Sequence, residues 1–135
     1  MKINSLYPVI TTDKLEVTKD FYKNYLDLGV TFDSDWYISM RTADEPFFEL
    51  ALLDYKHPSL PEAFQKPTSG VLINIEVEDV DVVYDRFLSM GIEMVLDIRS
   101  EDWGQRHFII QDPNGILIDV IQNIQPEGEY KEQYK

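Results

Sequence analysis

The chain has 135 residues, a net charge of −13, 44% hydrophobic residues and 13% aromatics, enough apolar material for one compact domain or two fused half-size units. Twelve basic residues against 25 acidic ones repel phosphate backbones and anionic lipid, which argues against nucleic-acid or membrane partners. The absence of cysteine removes disulfides, thiolate nucleophiles and zinc–thiolate sites together.

No apolar run approaches a bilayer span, and the first residues lead into a strand pattern without the features of a secretory leader, so a cytoplasmic protein is expected. Residues 3–11 alternate and read as a first strand. Thr11, Thr12 and Asp13 offer capping side chains for a helix that follows Leu15, Thr18, Phe21, Tyr22, Tyr25 and Leu28, with Gly29 placed as a left-handed stop. Residues 30–33, 36–41 and 47–53 read as three more strands. Residues 55–69 carry three prolines and read as a connection with a short helical turn near 62–65.

The same order then recurs. A strand over 71–77 precedes a helix opening at Asp79, with Val80, Val83, Tyr84, Phe87 and Leu88 on one face and Gly91 at its end. Strands are expected over 92–98, 107–111 and 116–122, the last two joined by a tight turn at Asp112, Pro113, Asn114 and Gly115. The clearest internal echo sets Tyr25-Leu26-Asp27-Leu28-Gly29 against Phe87-Leu88-Ser89-Met90-Gly91, 62 residues later. Two copies of this length point to duplication within one domain of residues 1–122, made of units 1–54 and 70–122. Residues 123–135 are polar and weakly patterned, a tail that frays or packs on a partner subunit.

The order Pro8-Val9-Ile10, Asp13, Phe21-Tyr22, Gly29, Val77-Glu78-Asp79-Val80-Asp81, Trp103-Gly104-Gln105-Arg106 and Asp112-Pro113-Asn114-Gly115 resembles the vicinal oxygen chelate superfamily. That superfamily includes glyoxalase I, bleomycin-resistance proteins and extradiol dioxygenases. The resemblance runs from the first strand to Gln122 and is greatest to the bleomycin-resistance and glyoxalase-like branch. It implies an α+β fold in which two β-α-β-β-β units form a cupped mixed sheet around a cleft, and a homodimer.

Enzymes of this family hold a divalent metal with a His from the first strand and a Glu from the last strand of each unit. Carried over position by position, the first-strand sites fall at Leu6 (or Tyr7, one residue along) and Leu72, and the last-strand sites at Glu49 and Asp119. Two carboxylates remain and both imidazoles are gone. No transition metal or other cofactor is therefore expected, with Glu49 and Asp119 as weak candidates for Mg²⁺ or Mn²⁺. The chain's two histidines, His57 in the connection and His107 after the Trp-Gly-Gln-Arg run, fall at neither first-strand site.

Glu49 and Asp119 interrupt apolar strands, so each either faces solvent or forms a polar floor for a ligand. Asn74 and Glu76 share a face with Leu72 by alternation. Trp36, Tyr37 and Trp103 stand beside acidic residues, where aromatics either pack in a core or interface or receive a planar cation. Arg106 reads as the partner of a carboxylate more than as an anion clamp, and His107 as a surface strand histidine. The ligand-binding candidates are thus Trp36, Tyr37, Glu49, Asn74, Trp103, Arg106, His107 and Asp119. The expected function is metal-independent binding of a small, cationic and aromatic molecule. The alternative is a lyase, isomerase or dioxygenase using a divalent metal on Glu49 and Asp119.

Overall fold

A computed structural model describes Met1–Lys135, and in it one order of elements occurs twice. Residues Met1–Ser69 form one compact unit from β1 (Val9–Thr12), α1 (Leu15–Tyr25), β2 (Gly29–Asp33), β3 (Tyr37–Arg41) and β4 (Glu49–Asp54). Residues Gly70–Lys135 form the second from β5 (Leu72–Glu76), α2 (Val80–Ser89), β6 (Leu96–Glu101), β7 (Gln105–Gln111) and β8 (Leu117–Asn123). The sheets run β1-β4-β3-β2 and β5-β8-β7-β6. In each, the strand before the helix pairs parallel with the last strand, and the other pairings are antiparallel. The fold is the α+β class expected from the sequence.

Which residues meet the helix follows from period-2 alternation. In the first unit, the Thr12 and Thr18 hydroxyls lie 3.4 Å apart, so the β1 face carrying Ile10 and Thr12 is turned to α1. Ile10 pairs with Leu52, and Leu52 with Ile38, so Ile10, Ile38 and Leu52 line that face with Met40 and Leu50. All five are buried, as is Tyr22 of α1. Each such side chain contributes roughly 1.5–3 kcal/mol of hydrophobic stabilisation. Tyr37, Ser39, Arg41, Glu49, Ala51 and Leu53 occupy the opposite, helix-free face.

In the second unit Phe108 of β7 meets Tyr84 and Phe87 of α2 edge-on, with ring centroids 5.5 and 5.7 Å apart. The backbone N–H of Val80 donates to Gln122 Oε1 at 3.1 Å. Phe108, Ile110, Ile118, Val120 and Gln122 therefore lie under the helix. Asn74, Glu76, Arg99, Glu101, Gln105, His107 and Asp119 lie on the helix-free face.

Four sequence expectations need correction. The first strand starts at Val9, because only from there does the chain pair with β4, and residues 3–7 are exposed without a ladder partner. Helix α1 stops at Tyr25, and the left-handed residue is Asp27 (φ 56), while Gly29 already opens β2. Both Leu26 and Leu28 N–H groups close on the Tyr22 carbonyl, which ends the helix before the glycine. Residues 92–95 precede β6 instead of forming it. The C-terminal residues fold back on their own chain. The Ile124 N–H donates to the Gly104 carbonyl at 2.8 Å, the Glu127 N–H donates to the Asp102 carbonyl at 2.7 Å, and a 3-10 helix spans Gly128–Glu132. Helix α2 ends as expected, with Gly91 (φ 79) beyond its last turn and Asp79 capping its start through a 3.3 Å bond from the Val82 N–H.

Candidate functional site

The helix-free face of the second unit carries the densest polar arrangement in the chain. His107 Nδ1 lies 2.8 Å from Asp119 Oδ1, and its Nε2 lies 3.1 Å from Glu101 Oε2. Arg99 Nη2 reaches the same Glu101 oxygen at 3.1 Å. The His107 side chain is 6% exposed, that of Asp119 10% and that of Glu101 14%. The His107 ring therefore lies between the two carboxylates, with one ring nitrogen facing each. Burial pushes the Glu101 carboxyl up, but the hydrogen bonds and charges of His107 and Arg99 outweigh it and hold the group below the usual carboxylate range.

The reading of His107 as a surface histidine is therefore corrected, while its place on a strand holds. It is buried and holds one of the two last-strand carboxylates. The signal was present in the turn at Asp112–Gly115. Once the Asp112 N–H donates to the Ile116 carbonyl (2.9 Å), antiparallel counting sets His107 opposite Ile121 and diagonal to Asp119 on the same face. The parallel ladder also pairs Asp119 with Asn74, whereas Leu72 pairs with Leu117. The residue beside Asp119 on the first strand of this unit is thus Asn74, two positions beyond the one carried over from the family. No hydrogen-bond partner meets the second oxygen of Asp119, and no buried side-chain oxygen is left unsatisfied, so this oxygen keeps access to the surface of the face.

Trp103 sits in the turn between β6 and β7. Its Nε1–H donates to Gln105 Oε1 at 2.7 Å, and its ring stands edge-on to His107 with centroids 6.2 Å apart. Arg106 acts as the sequence indicated, in a fork with Asp81. Its Nη2 donates at 2.8 Å and its Nε at 3.0 Å, which holds the Asp81 carboxyl below its usual range. Since Arg106 alternates with Gln105 and His107, it points away from the His107 cluster.

In the first unit Glu49 lies at the start of β4, exposed, and accepts a 2.8 Å bond from Ser5 Oγ. Tyr37 shares its face, and burial together with Tyr7 raises its phenol above the ordinary tyrosine value. Trp36 stacks on His57 with centroids 3.8 Å apart and planes 11° from parallel, so that ring face already has an occupant. Leu6 is 87% exposed and Leu72 49% exposed, and neither carries a donor atom for a metal. No group of three or more His, Asp or Glu side chains is placed to hold a metal ion. The two positions that the family fills with histidine, Leu6 and Leu72, thus offer no imidazole.

No helix is long and apolar enough to cross a membrane. The family model described as the Glyoxalase/Bleomycin resistance protein/Dioxygenase superfamily matches residues 4–120. No curated protein sequence matches. Among solved structures, the chain is similar to a glyoxalase/bleomycin resistance protein/dioxygenase from Nocardioides, with a TM-score of 0.74, 18% identity, and 96% of this chain and 89% of that one covered. It is also similar to a lactoylglutathione lyase from Agrobacterium tumefaciens (TM-score 0.70, 17% identity, coverage 90% and 96%). A virulence protein from Salmonella typhimurium gives a TM-score of 0.70, with 22% identity and coverage of 92% and 100%. At these identities the likeness is one of fold.

Proposed function

The chain belongs to the glyoxalase/bleomycin resistance protein/dioxygenase superfamily, and within it we propose that this member binds a small cationic aromatic molecule without a metal. The observation that carries the reading is the commitment of Asp119 to His107, at a place where a family enzyme offers its carboxylate to a divalent ion. With Leu6 and Leu72 lacking donor atoms, what remains is a polar face suited to organic ligands.

Charge supports the cationic class. Residues 70–135 hold five Lys and Arg against 14 Asp and Glu, a net of −9. The accessible oxygen of Asp119 is an acceptor for a ligand N–H, Asn74 supplies an amide beside it, and Glu76 lies one alternation further along β5. Trp103 offers an indole to a flat cation, worth roughly 0.5–2 kcal/mol per favourable contact. The reading includes a cytoplasmic homodimer, which sedimentation at micromolar concentration checks.

The test is a tryptophan-fluorescence titration with bleomycin-like and other cationic aromatic compounds, in chelator, at low and high salt. Saturable quenching that weakens as ionic strength rises is expected. Binding that requires an added divalent metal, or saturation only by neutral or anionic metabolites, would move the lyase, isomerase or dioxygenase alternative ahead.

A further inference from the structure

The stretch after β8 is the one segment whose pattern gave no function, and its contacts converge on a single residue. In residues 128–135 the only large apolar or aromatic side chains are Tyr130 and Tyr134. Both go to Trp103. The Tyr130 ring stands edge-on to the indole with centroids 6.4 Å apart, and the Tyr134 hydroxyl donates to the Trp103 carbonyl. Two backbone bonds fasten the same segment to the residues on either side, Ile124 to Gly104 and Glu127 to Asp102.

Gly104 makes this approach possible. Its φ is +106, and a Cβ there would lie 3.0 Å from the Ile124 carbonyl oxygen, 3.1 Å from the Tyr134 hydroxyl and 3.3 Å from the Pro126 nitrogen. Only glycine takes that conformation and leaves that space. Trp103 in turn stands against His107, whose imidazole is buried between Asp119 and Glu101.

We propose that residues 124–134 form a strap that fixes Trp103 against the His107–Asp119–Glu101 cluster, making Trp103 a specificity-determining wall and Tyr130 and Tyr134 its positioning residues. The strap selects for ligands flat enough to pass the fixed indole, and a chain without it presents the cluster more openly. This deepens the binding function proposed above and rests on it for the ligand. The positioning of Trp103 can be read without any ligand.

Two features of the sequence make the test clean, since the chain has two histidines and two tryptophans. Carbethoxylation by diethyl pyrocarbonate, read by peptide mass spectrometry, should modify His57 at least about tenfold faster than His107 in the full chain. In a chain ending at Asn123, His107 should react at least about threefold faster than in the full chain, while the rate of His57 stays the same. In a Trp36→Phe background, where Trp103 is the only tryptophan, Tyr134→Phe should red-shift the selectively excited tryptophan emission and raise acrylamide quenching about twofold while far-UV circular dichroism stays unchanged. This second arm decides the matter if the shortened chain does not fold. Equal rates for both histidines in the intact chain, or Trp103 emission indifferent to Tyr134→Phe, would overturn the proposal. If cationic aromatic compounds fail to bind the intact chain while both strap readouts behave as expected, the binding function falls and the strap stands.

Discussion

Replacing His107 by Leu probes the arrangement on which the site depends. The change removes two side-chain contacts to carboxylates, at 2.8 and 3.1 Å, and leaves Asp119 with a 10% exposed side chain and no partner, whereas Glu101 keeps Arg99. Deleting one member of a buried pair costs about 3–5 kcal/mol, because the remaining charge stays desolvated. The surviving Arg99 contact and the accessible second oxygen of Asp119 place this case at the lower end, about 3 kcal/mol. For a chain of this size that lowers Tm by about 10 °C. Urea and thermal denaturation followed by circular dichroism measure it. The double variant His107→Leu, Asp119→Leu should recover about half of the loss, since both polar partners are then replaced by apolar groups. A single variant within about 0.5 kcal/mol of wild type, or a double variant whose loss is the simple addition of the two single ones, would refute the claim that the pair is coupled in a desolvated site.

Acid should weaken the second unit through Glu101. Its folded-state value lies below its ordinary 4.5, so its contribution is complete above that pH and drains away as the pH falls through the folded-state value. Glu101→Gln should flatten the loss of stability measured by urea melts between about pH 5 and pH 3. Gly104→Ala forces a side chain into a left-handed backbone against two oxygens and a nitrogen, and should cost about 2 kcal/mol and loosen the C-terminal segment to limited proteolysis. Trp103→Ala should weaken the cationic aromatic ligand at least about tenfold in a fluorescence-independent titration such as calorimetry, equivalent to about 1.4 kcal/mol.

The fold was legible because alternation, helical spacing and turn chemistry repeat in one order along the chain. Boundaries slipped where pairing, not pattern, decides. Residues 3–7 alternate but have no neighbouring strand, and Asp27 takes the positive φ that Gly29 was expected to supply. The site was legible in part. Glu49 and Asp119 could be placed on their strands from the family pattern, and alternation put both on helix-free faces. The His107–Asp119 contact is a cross-strand diagonal, which emerges only when the hairpin is counted outward from its turn. The contacts of Trp103 with Tyr130 and Tyr134 have no periodic signature, because an irregular segment folding back leaves none. His57 stacking on Trp36 is hidden for the same reason, since it joins the turn before β3 to an irregular connection.

The central claim, that this member works without the family's metal, is tested most directly by elemental analysis of the purified protein combined with calorimetric titration of Ni²⁺, Zn²⁺, Mn²⁺ and Mg²⁺. With Asp119 held by His107 and no donor at Leu6 or Leu72, the protein should carry less than about one tenth of an equivalent of any transition metal. It should show no saturable heat for any of the four ions, and keep its Tm in chelator. A stoichiometric metal, or a Tm that drops when chelator is added, would contradict the account.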